Sequence, residues 1–313
     1  MKVLSLDHML WVATLLRRAA IVQNTPKRGS GQPAACENLR MQALQNWPPG
    51  ARRRIIGVLT DIDDTLTTHG AITPDALAAL GALKAAGLHV IAVTGRPVGW
   101  SQDFALDWPL DAVVAENGAV ALLSSPNTLQ RLQDGRRQLS KLYQQDEVTR
   151  HTHYARMQQV AQRVMREVPG AVLSQDSPGR ETDIAIDHSE FVHLPPSAIA
   201  QAVQIMRSEG MNASVSSIHI NGWFGAHNKL EGARWIVREL LGRDLNAEME
   251  RWVYVGDSTN DQLMFEAFDH SIGVANVRRF EAQLSHNPRY ITDGERGAGF
   301  AEVAAALLAA RAA

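Results

Sequence analysis

The sequence predicts an α/β protein built on a parallel sheet, with a separate α+β module inserted into it. Three observations carry this expectation. From Ile55 onward, short apolar runs alternate with helix-length segments, the rhythm of βα units. That rhythm breaks over residues 124–218 and resumes at Lys229. The apolar runs end in polar loops bearing aspartate or glycine, as buried parallel strands do at their carboxyl ends.

Residues 55–59 form the first strand and run into Asp61-Ile62-Asp63-Asp64-Thr65. Thr73-Pro74 supplies an N-cap and first-turn proline for a helix over residues 75–86, closed by Gly87. The second strand, residues 89–93, exits at Thr94-Gly95-Arg96-Pro97, and the third, residues 112–115, exits at the turn Glu116-Asn117-Gly118 before an apolar stretch over 119–123. In the inserted block the pattern predicts helices over 129–145 and 154–168, a strand over 182–187, a helix over 197–209 and a strand over 213–217. After it come a helix from Lys229 to Leu241 with Gly242 behind it, and a strand over 252–255. Gly256-Asp257-Ser258-Thr259-Asn260-Asp261 follows, then a helix to Phe268, a strand over 271–274 and an alanine-rich helix after Gly299. The expected organisation is an extension over 1–50, a core over 51–123 plus 219–313, and an inserted domain over 124–218.

Composition bounds the function. The chain has 313 residues, 31 basic and 33 acidic, for a net charge of −2, so it carries no electrostatic footprint for nucleic acid or an anionic membrane. With 45% apolar and 20% charged residues it reads as an ordinary globular protein. Its one cysteine, Cys36, excludes an intramolecular disulfide framework and a cysteine-rich zinc site. No apolar run approaches the roughly 18 residues that span a bilayer. The short apolar run over 9–16 is flanked by Asp7-His8 and Arg17-Arg18 and lacks a cleavage site, so export is not expected. Residues 24–32 have linker composition, and the first fifty residues read as a loose extension or an upstream start. A cytoplasmic enzyme is the expectation.

The chemistry gathers in four short elements, each at a strand's carboxyl end or a helix start, the edge where open α/β sheets bind ligands. Asp61 and Asp63, two apart in extended chain, can face one side. Thr94 ends the second strand, Lys229 opens a helix, and Asp257 and Asp261 flank a Ser-Thr-Asn turn. This set holds what phosphoryl transfer requires: a carboxylate nucleophile, a second carboxyl for acid–base work, and a hydroxyl and an ammonium for the phosphoryl oxygens. Clustered carboxylates suit Mg²⁺, which takes oxygen ligands.

Asp61-Ile62-Asp63-Asp64-Thr65-Leu66, Thr94-Gly95-Arg96, Lys229 and Gly256-Asp257-Ser258-Thr259-Asn260-Asp261 resemble, in order, the four motifs of the haloacid dehalogenase superfamily. The long insertion between the second and third motifs, with Glu116-Asn117-Gly118-Ala119, resembles its subgroup of Cof-type, sucrose-phosphate, trehalose-phosphate and mannosyl-phosphoglycerate phosphatases and eukaryotic-type phosphomannomutases. The resemblance covers residue 55 to the C-terminus. It implies a Rossmann-like core with an inserted cap, and a phosphatase acting on a small phosphorylated metabolite, sugar phosphates first. It further implies that Asp61 is the nucleophile and Asp63 the acid/base, and that Thr94, Gly95 and Lys229 bind phosphate. Asp61, Asp63 (through its carbonyl), Asp257 and Asp261 would hold Mg²⁺. Asp64 departs from the glycine many members carry there.

Substrate contacts expected from their positions are Arg96 and Asn117 at strand ends, Arg180 and Glu181 before a strand, His219, Asn221 and Trp223 ahead of Lys229, and Asn260. A phosphosugar mutase sharing the intermediate, and a non-catalytic phospho-ligand-binding protein, are the alternatives. A calcium loop starting at Asp61 fails because its twelfth position is Ile72. Gly294, Gly297 and Gly299 do not make a dinucleotide fingerprint, and His151 with His153 lacks a third ligand. Lysine occurs only at positions 2, 27, 84, 141 and 229 of an arginine-biased chain, which suits a need for a compact point charge at 229. The motifs fix neither the substrate nor the oligomeric state.

Overall fold

The structure, a computed structural model, describes residues 40–123, 130–131 and 137–312. The first half runs β1 (Gln42–Ala43), α1 (Pro49–Arg54), β2 (Gly57–Thr60), β3 (Thr67–Thr68), β4 (Ala71–Ile72), α2 (Pro74–Ala85), β5 (His89–Val93), α3 (Val98–Asp107), β6 (Ala112–Ala115) and β7 (Val120–Leu123). Next come β8 (Gln130–Arg131), β9 (Arg137–Gln138), β10 (Ser140–Tyr143), α4 (Glu147–Glu167), β11 (Val172–Leu173), β12 (Ile184–Asp187), α5 (Pro196–Ser208), β13 (Asn212–Val215) and β14 (His219–Trp223). The chain closes with α6 (Lys229–Leu241), β15 (Trp252–Gly256), α7 (Gln262–Ala267), β16 (Ser271–Gly273), β17 (Tyr290–Ile291) and α8 (Arg296–Ala312).

Nine strands form the main sheet in the order β1-β17-β16-β15-β2-β5-β6-β7-β10, and the β6–β7 and β7–β10 pairings are its antiparallel ones. Every residue of β2, β6 and β15 is buried, which is why these strands read as continuous apolar runs. Successive residues serve opposite faces. Val58, Val90 and Val113 pack with Leu80, Leu83, Phe300 and Leu307 of α2 and α8, whereas Leu59, Ile91 and Val114 pack with Ile236, Val237, Met264 and Phe265 of α6 and α7. The chain leaves β2 for β5 on one side, while β15 pairs with β2 on the other. This switch point puts the exits of β2, β5 and β15 side by side.

A second, antiparallel sheet, β11-β12-β14-β13, carries α4 and α5, with Met157, Val164, Ile186, Met206 and Ile220 in a core of its own. The sheets do not divide where the sequence suggests. β10, inside the expected insertion, pairs with β7 in the main sheet, and β14, expected in the core, pairs with β12 and β13 in the small one. The helix expected over 129–145 is also corrected. The described part of that segment is β8, β9 and β10, because Ser140–Tyr143 completes its hydrogen bonding along β7. Helix α4 instead starts at Glu147, capped by the Asp146 carboxylate accepting from the Thr149 N–H at 2.9 Å. Thr73 does sit at the N-cap of α2, but its side chain makes no capping bond.

The expected loose extension is corrected from residue 40 onward. β1 adds a parallel strand beside β17, and the fully buried Trp47 ring packs 5.4 Å from His270 and 6.0 Å from Tyr290 between centroids. The apolar run over 9–16, the linker over 24–32 and Cys36 lie outside the described residues. Among the described residues no helix is long and apolar enough to cross a membrane. Trp47→Ala should lower unfolding free energy by about 3–5 kcal/mol, read as a lower urea midpoint with unchanged slope; a wild-type midpoint would show that residues 40–50 are not part of the cooperative fold.

Candidate active site

The site is assembled by one close approach. The turn at Glu116-Asn117-Gly118 carries three successive positive φ angles, and a Cβ on Gly118 would lie 2.2 Å from the Asn228 carbonyl oxygen. A Cβ on Gly232 of α6 would lie 2.4 Å from the Gly118 Cα. Only glycine at both places lets the start of α6 dock on this turn, and that start is Lys229. The Asn228 side chain caps the helix by accepting from the Glu231 N–H.

Docked there, the Lys229 ammonium is buried between two carboxylates, donating to Asp61 Oδ1 at 2.8 Å and Asp261 Oδ1 at 2.7 Å. Burial opposes its charge, but Asp261 and Asp61 more than offset that and hold the ammonium protonated well above the usual lysine range. Asp61 follows β2 and is 4% exposed. Burial pushes its carboxyl up to about 7 against the pull of Lys229. Asp261 has four donors on its two oxygens: Lys229 and the Tyr254 hydroxyl on Oδ1, and the Asp257 and Ser258 N–H groups on Oδ2. That fills the acceptor capacity of a carboxylate.

Asp257 differs. Its Oδ2 accepts from Asn276 Nδ2 at 3.0 Å, but its buried Oδ1 has no hydrogen-bond partner among the described residues. Burial, with Asp261, Asp61 and Asp64 nearby, raises its pKa well above the usual carboxylate range. One oxygen from each of Asp61, Asp257 and Asp261 lies within 4.8 Å of the others. An all-oxygen cluster with an unpartnered buried oxygen fits a hard divalent cation of the Mg²⁺ kind. Asp61 and Asp257 have the oxygens free to hold it, and the expectation that Asp261 also binds it is corrected, since four donors already take its two oxygens.

Asp63 is gripped by Arg96, whose Nε and Nη2 donate to its two oxygens at 2.9 and 3.1 Å. The same guanidinium reaches Asp176 at 3.2 Å and Glu190 at 2.9 Å, both from the small-sheet module, and lies 4.5 Å above the Trp100 ring. The cavity over Asp61 is about 10 Å³, bordered by Asp63, Thr94–Arg96, Ser216–His219, Asn221 and Asn260. That is room for about one water. Cavities of about 400 and 800 Å³ open on either side of the 216–218 loop, one against Asp63 and Arg96, the other against Asp257.

Comparison with known proteins bears on the fold that carries this site. Residues 58–161 match the family model of haloacid dehalogenase-like hydrolases. No curated protein matches the sequence. Among solved structures, the chain is similar to Thermoplasma acidophilum protein 0175, with a TM-score of 0.60 and 15% identity over 81% of this chain and 98% of that one. It is also similar to the sucrose-phosphatase of Synechocystis sp. PCC6803, solved with sucrose and phosphate, with a TM-score of 0.56 and 15% identity over 82% and 98%. A third is the C-terminal domain of C. albicans trehalose-6-phosphate phosphatase, with a TM-score of 0.57 and 14% identity over 87% and 99%. The fold is that of the haloacid dehalogenase-like hydrolases.

On this haloacid dehalogenase-like fold, Asp61, Asp63, Thr94, Gly95, Lys229, Asp257 and Asp261 come together at one sheet edge. The substrate-contact candidates divide. Arg96, His219, Asn221 and Asn260 border the cavity over Asp61. Asn117 and Trp223 border a neighbouring cavity of about 560 Å³ that reaches Lys229, and Trp223 packs in the small-sheet core with its Nε1 donating to the His227 carbonyl. Glu181 is corrected: its carboxylate accepts from Lys141 and Tyr143, away from the cleft. Arg180 is corrected too, being buried in ion pairs with Asp176 and Asp183.

Several residues escape a sequence reading. Tyr254 is one strand residue among apolar neighbours, Asn276 follows a different strand, and Glu190 lies in a loop. Glu116 was visible as a motif, but its role was not. Fully buried, it accepts from the N–H groups of Val98, Glu181 and Thr182, tying the β6 exit to the segment before β12. Asp64 has φ +56°, which accounts for a glycine preference there, and aspartate tolerates that region; its side chain pairs with Arg296 at 2.8 Å.

Burial pushes the Asp183 carboxyl up to about 7 although Arg180 pulls the other way. Unfolded, it titrates near 3.9. Its contribution to stability is therefore fully present below about pH 4 and lost as pH rises through about 7. Asp183→Asn should flatten the decline of stability between about pH 4 and 7 by roughly 1.4 kcal/mol per pH unit at most, measured by urea unfolding across that range; a wild-type slope in the variant would refute the assignment.

Proposed function

We propose that this protein is a Mg²⁺-dependent phosphatase that hydrolyses a small phosphorylated metabolite, sugar phosphates first, through an aspartyl-phosphate on Asp61. The observation that carries this reading is the Asp61 carboxylate, buried at a cavity with Asp63 and Thr94, paired with Lys229 and set beside the unpartnered oxygen of Asp257. Sucrose-phosphatase and trehalose-6-phosphate phosphatase among the structurally similar proteins support the substrate class.

In the proposed reaction, Asp61 attacks phosphorus while the bond to the alcohol oxygen breaks and Asp63 gives that oxygen a proton. Asp63 then takes a proton from water, whose oxygen attacks phosphorus and releases Asp61. Lys229 and Thr94 hold phosphoryl oxygens as charge builds. Asp61, Asp257 and the Asp63 carbonyl would hold Mg²⁺, which when bound offsets negative charge shared by nucleophile and phosphoryl group. Asp261, with its oxygens occupied, orients Lys229. Proton delivery by Asp63 requires an oxygen free of Arg96, so the Arg96 fork opens during turnover.

The small-sheet module acts as the cap. With space for one water over Asp61, a phosphoryl group is admitted only when the 216–218 loop withdraws, which breaks the 2.6 Å hydrogen bond from Thr259 Oγ1 to the Val215 carbonyl and the Arg96–Glu190 contact.

The test is phosphate release from a panel of sugar phosphates and other monoesters, with Mg²⁺ or chelator. Release should need the metal and fall by at least about three orders of magnitude in Asp61→Asn. No release from any monoester by folded protein would sink the reading, and turnover that requires a bisphosphorylated sugar would make it a mutase. In the same preparation, Mg²⁺ should raise the melting temperature of wild type but not of Asp257→Asn, since only a bound ion stabilises the fold.

A further inference from the structure

Two residues of the small-sheet module act on the main-sheet site without touching its reactive groups. Arg180 Nη1 donates to the Gly95 carbonyl at 3.0 Å, and Asn221 Nδ2 donates to the same oxygen at 3.3 Å. Both are themselves fixed. Arg180 pairs with Asp183 at 2.7 Å and with both oxygens of Asp176 at 3.1 Å, and Asp183 Oδ2 also accepts from Asn221 at 3.1 Å and Asn117 at 3.2 Å. A Cβ on Gly95 would lie 3.3 Å from the side-chain oxygens of both Asn117 and Asn221.

The neighbouring carbonyls of the turn are held from within the main sheet. Thr94 O accepts from the Asn117 N–H and Arg96 O from the Glu116 N–H, each at 3.0 Å. The middle carbonyl, Gly95, is held by the insertion. Gly95 C=O and Arg96 N–H belong to one planar trans peptide and point oppositely, so fixing the first aims the second. That N–H donates to Thr94 Oγ1 at 3.0 Å. A hydroxyl oxygen occupied as an acceptor still has its own proton to donate.

We infer that Arg180 and Asn221 are positioning residues that clasp the Gly95 carbonyl and thereby aim the Thr94 hydroxyl at the phosphoryl group. The inference rests on the phosphatase reading for what Thr94 binds. It assigns these two side chains to the phosphoryl side of the reaction and not to recognition of the leaving group. Cap and phosphate site are thus coupled through one peptide plane. When the cap lifts, the plane is released and the hydroxyl loses its aim; when it closes, the donor is preset.

The experiment compares wild type with Asn221→Ala and Arg180→Lys, the second keeping the charge opposite Asp176 and Asp183 while losing the guanidinium fork. Steady-state kinetics are read on p-nitrophenyl phosphate and on the best metabolite ester, with orthophosphate as inhibitor. The clasp predicts a loss of kcat/KM of roughly 10- to 100-fold, equal for both esters within about threefold, with weaker inhibition by orthophosphate. Loss confined to the metabolite ester would overturn the proposal, because the residues would then contact the leaving group. A lower melting temperature with unchanged kinetics of the folded enzyme would overturn it as well, leaving a structural role only. If wild type turns over no ester, the phosphatase reading fails on its own account. Protection of wild type from thermal unfolding by orthophosphate then reads the turn. Protection lost in Asn221→Ala supports the clasp, while protection retained, or absent from wild type, overturns it.

Discussion

Two carboxylates buried within reach of one ammonium set the terms for this site. Asp61 and Asp261 would repel each other without Lys229, and the buried Lys229 would resist protonation without them. Taking one member away leaves the others uncompensated in a buried place. The lysine's location is in turn a matter of backbone shape, since α6 reaches the strand exits only through the Gly118–Gly232 contact. The chemistry therefore depends on a glycine pair that bears no charge and lies on elements more than one hundred residues apart.

Around that ion triad, similar residues have dissimilar tasks. Asp261 is saturated by Lys229, Tyr254 and two backbone N–H groups, so it fixes geometry. Asp257 keeps a buried oxygen with no partner among the described residues, a burial that a cation or a bound proton offsets. Asp61 lies between these extremes, with one oxygen on Lys229 and its carboxyl raised to about 7. Burial and donor count separate three aspartates that a motif string presents alike.

Much of this was legible in the chain. The strands after which Asp61, Thr94 and Asp257 lie are unbroken apolar runs, and Lys229 follows an asparagine cap, so the four motifs could be placed on their elements by periodicity and end signals. What escaped depended on contacts between distant segments. Ser140–Tyr143 is a strand because β7 offers it an edge, not because its residues insist on it. Trp47 is core because β17 and His270 lie above it. Glu181 and Arg180 are adjacent in sequence yet meet different partners, Lys141 with Tyr143 and Asp176 with Asp183, and nothing local says that neither one lines the cleft. Asn276 holds Asp257 from another strand exit, a relation that only the sheet order creates.

The insertion carries as much of the site's organisation as its substrate-facing surface. Arg96 joins Asp63 to Asp176 and Glu190, Glu116 gathers the N–H groups of the segment before β12, and Gly95 is held by Arg180 and Asn221. All but the neutral Asn221–Gly95 bond are charge-assisted and partly or fully out of solvent, so each of those is worth more than a surface contact, and on the proposed reading the set breaks or forms together when the cap moves. On the proposed reading, closure therefore completes the catalytic arrangement as well as excluding water. A ligand is then selected by whether it lets these ties reform around it, and a phosphoryl group whose leaving group keeps the 216–218 loop from returning would bind without being aligned for transfer.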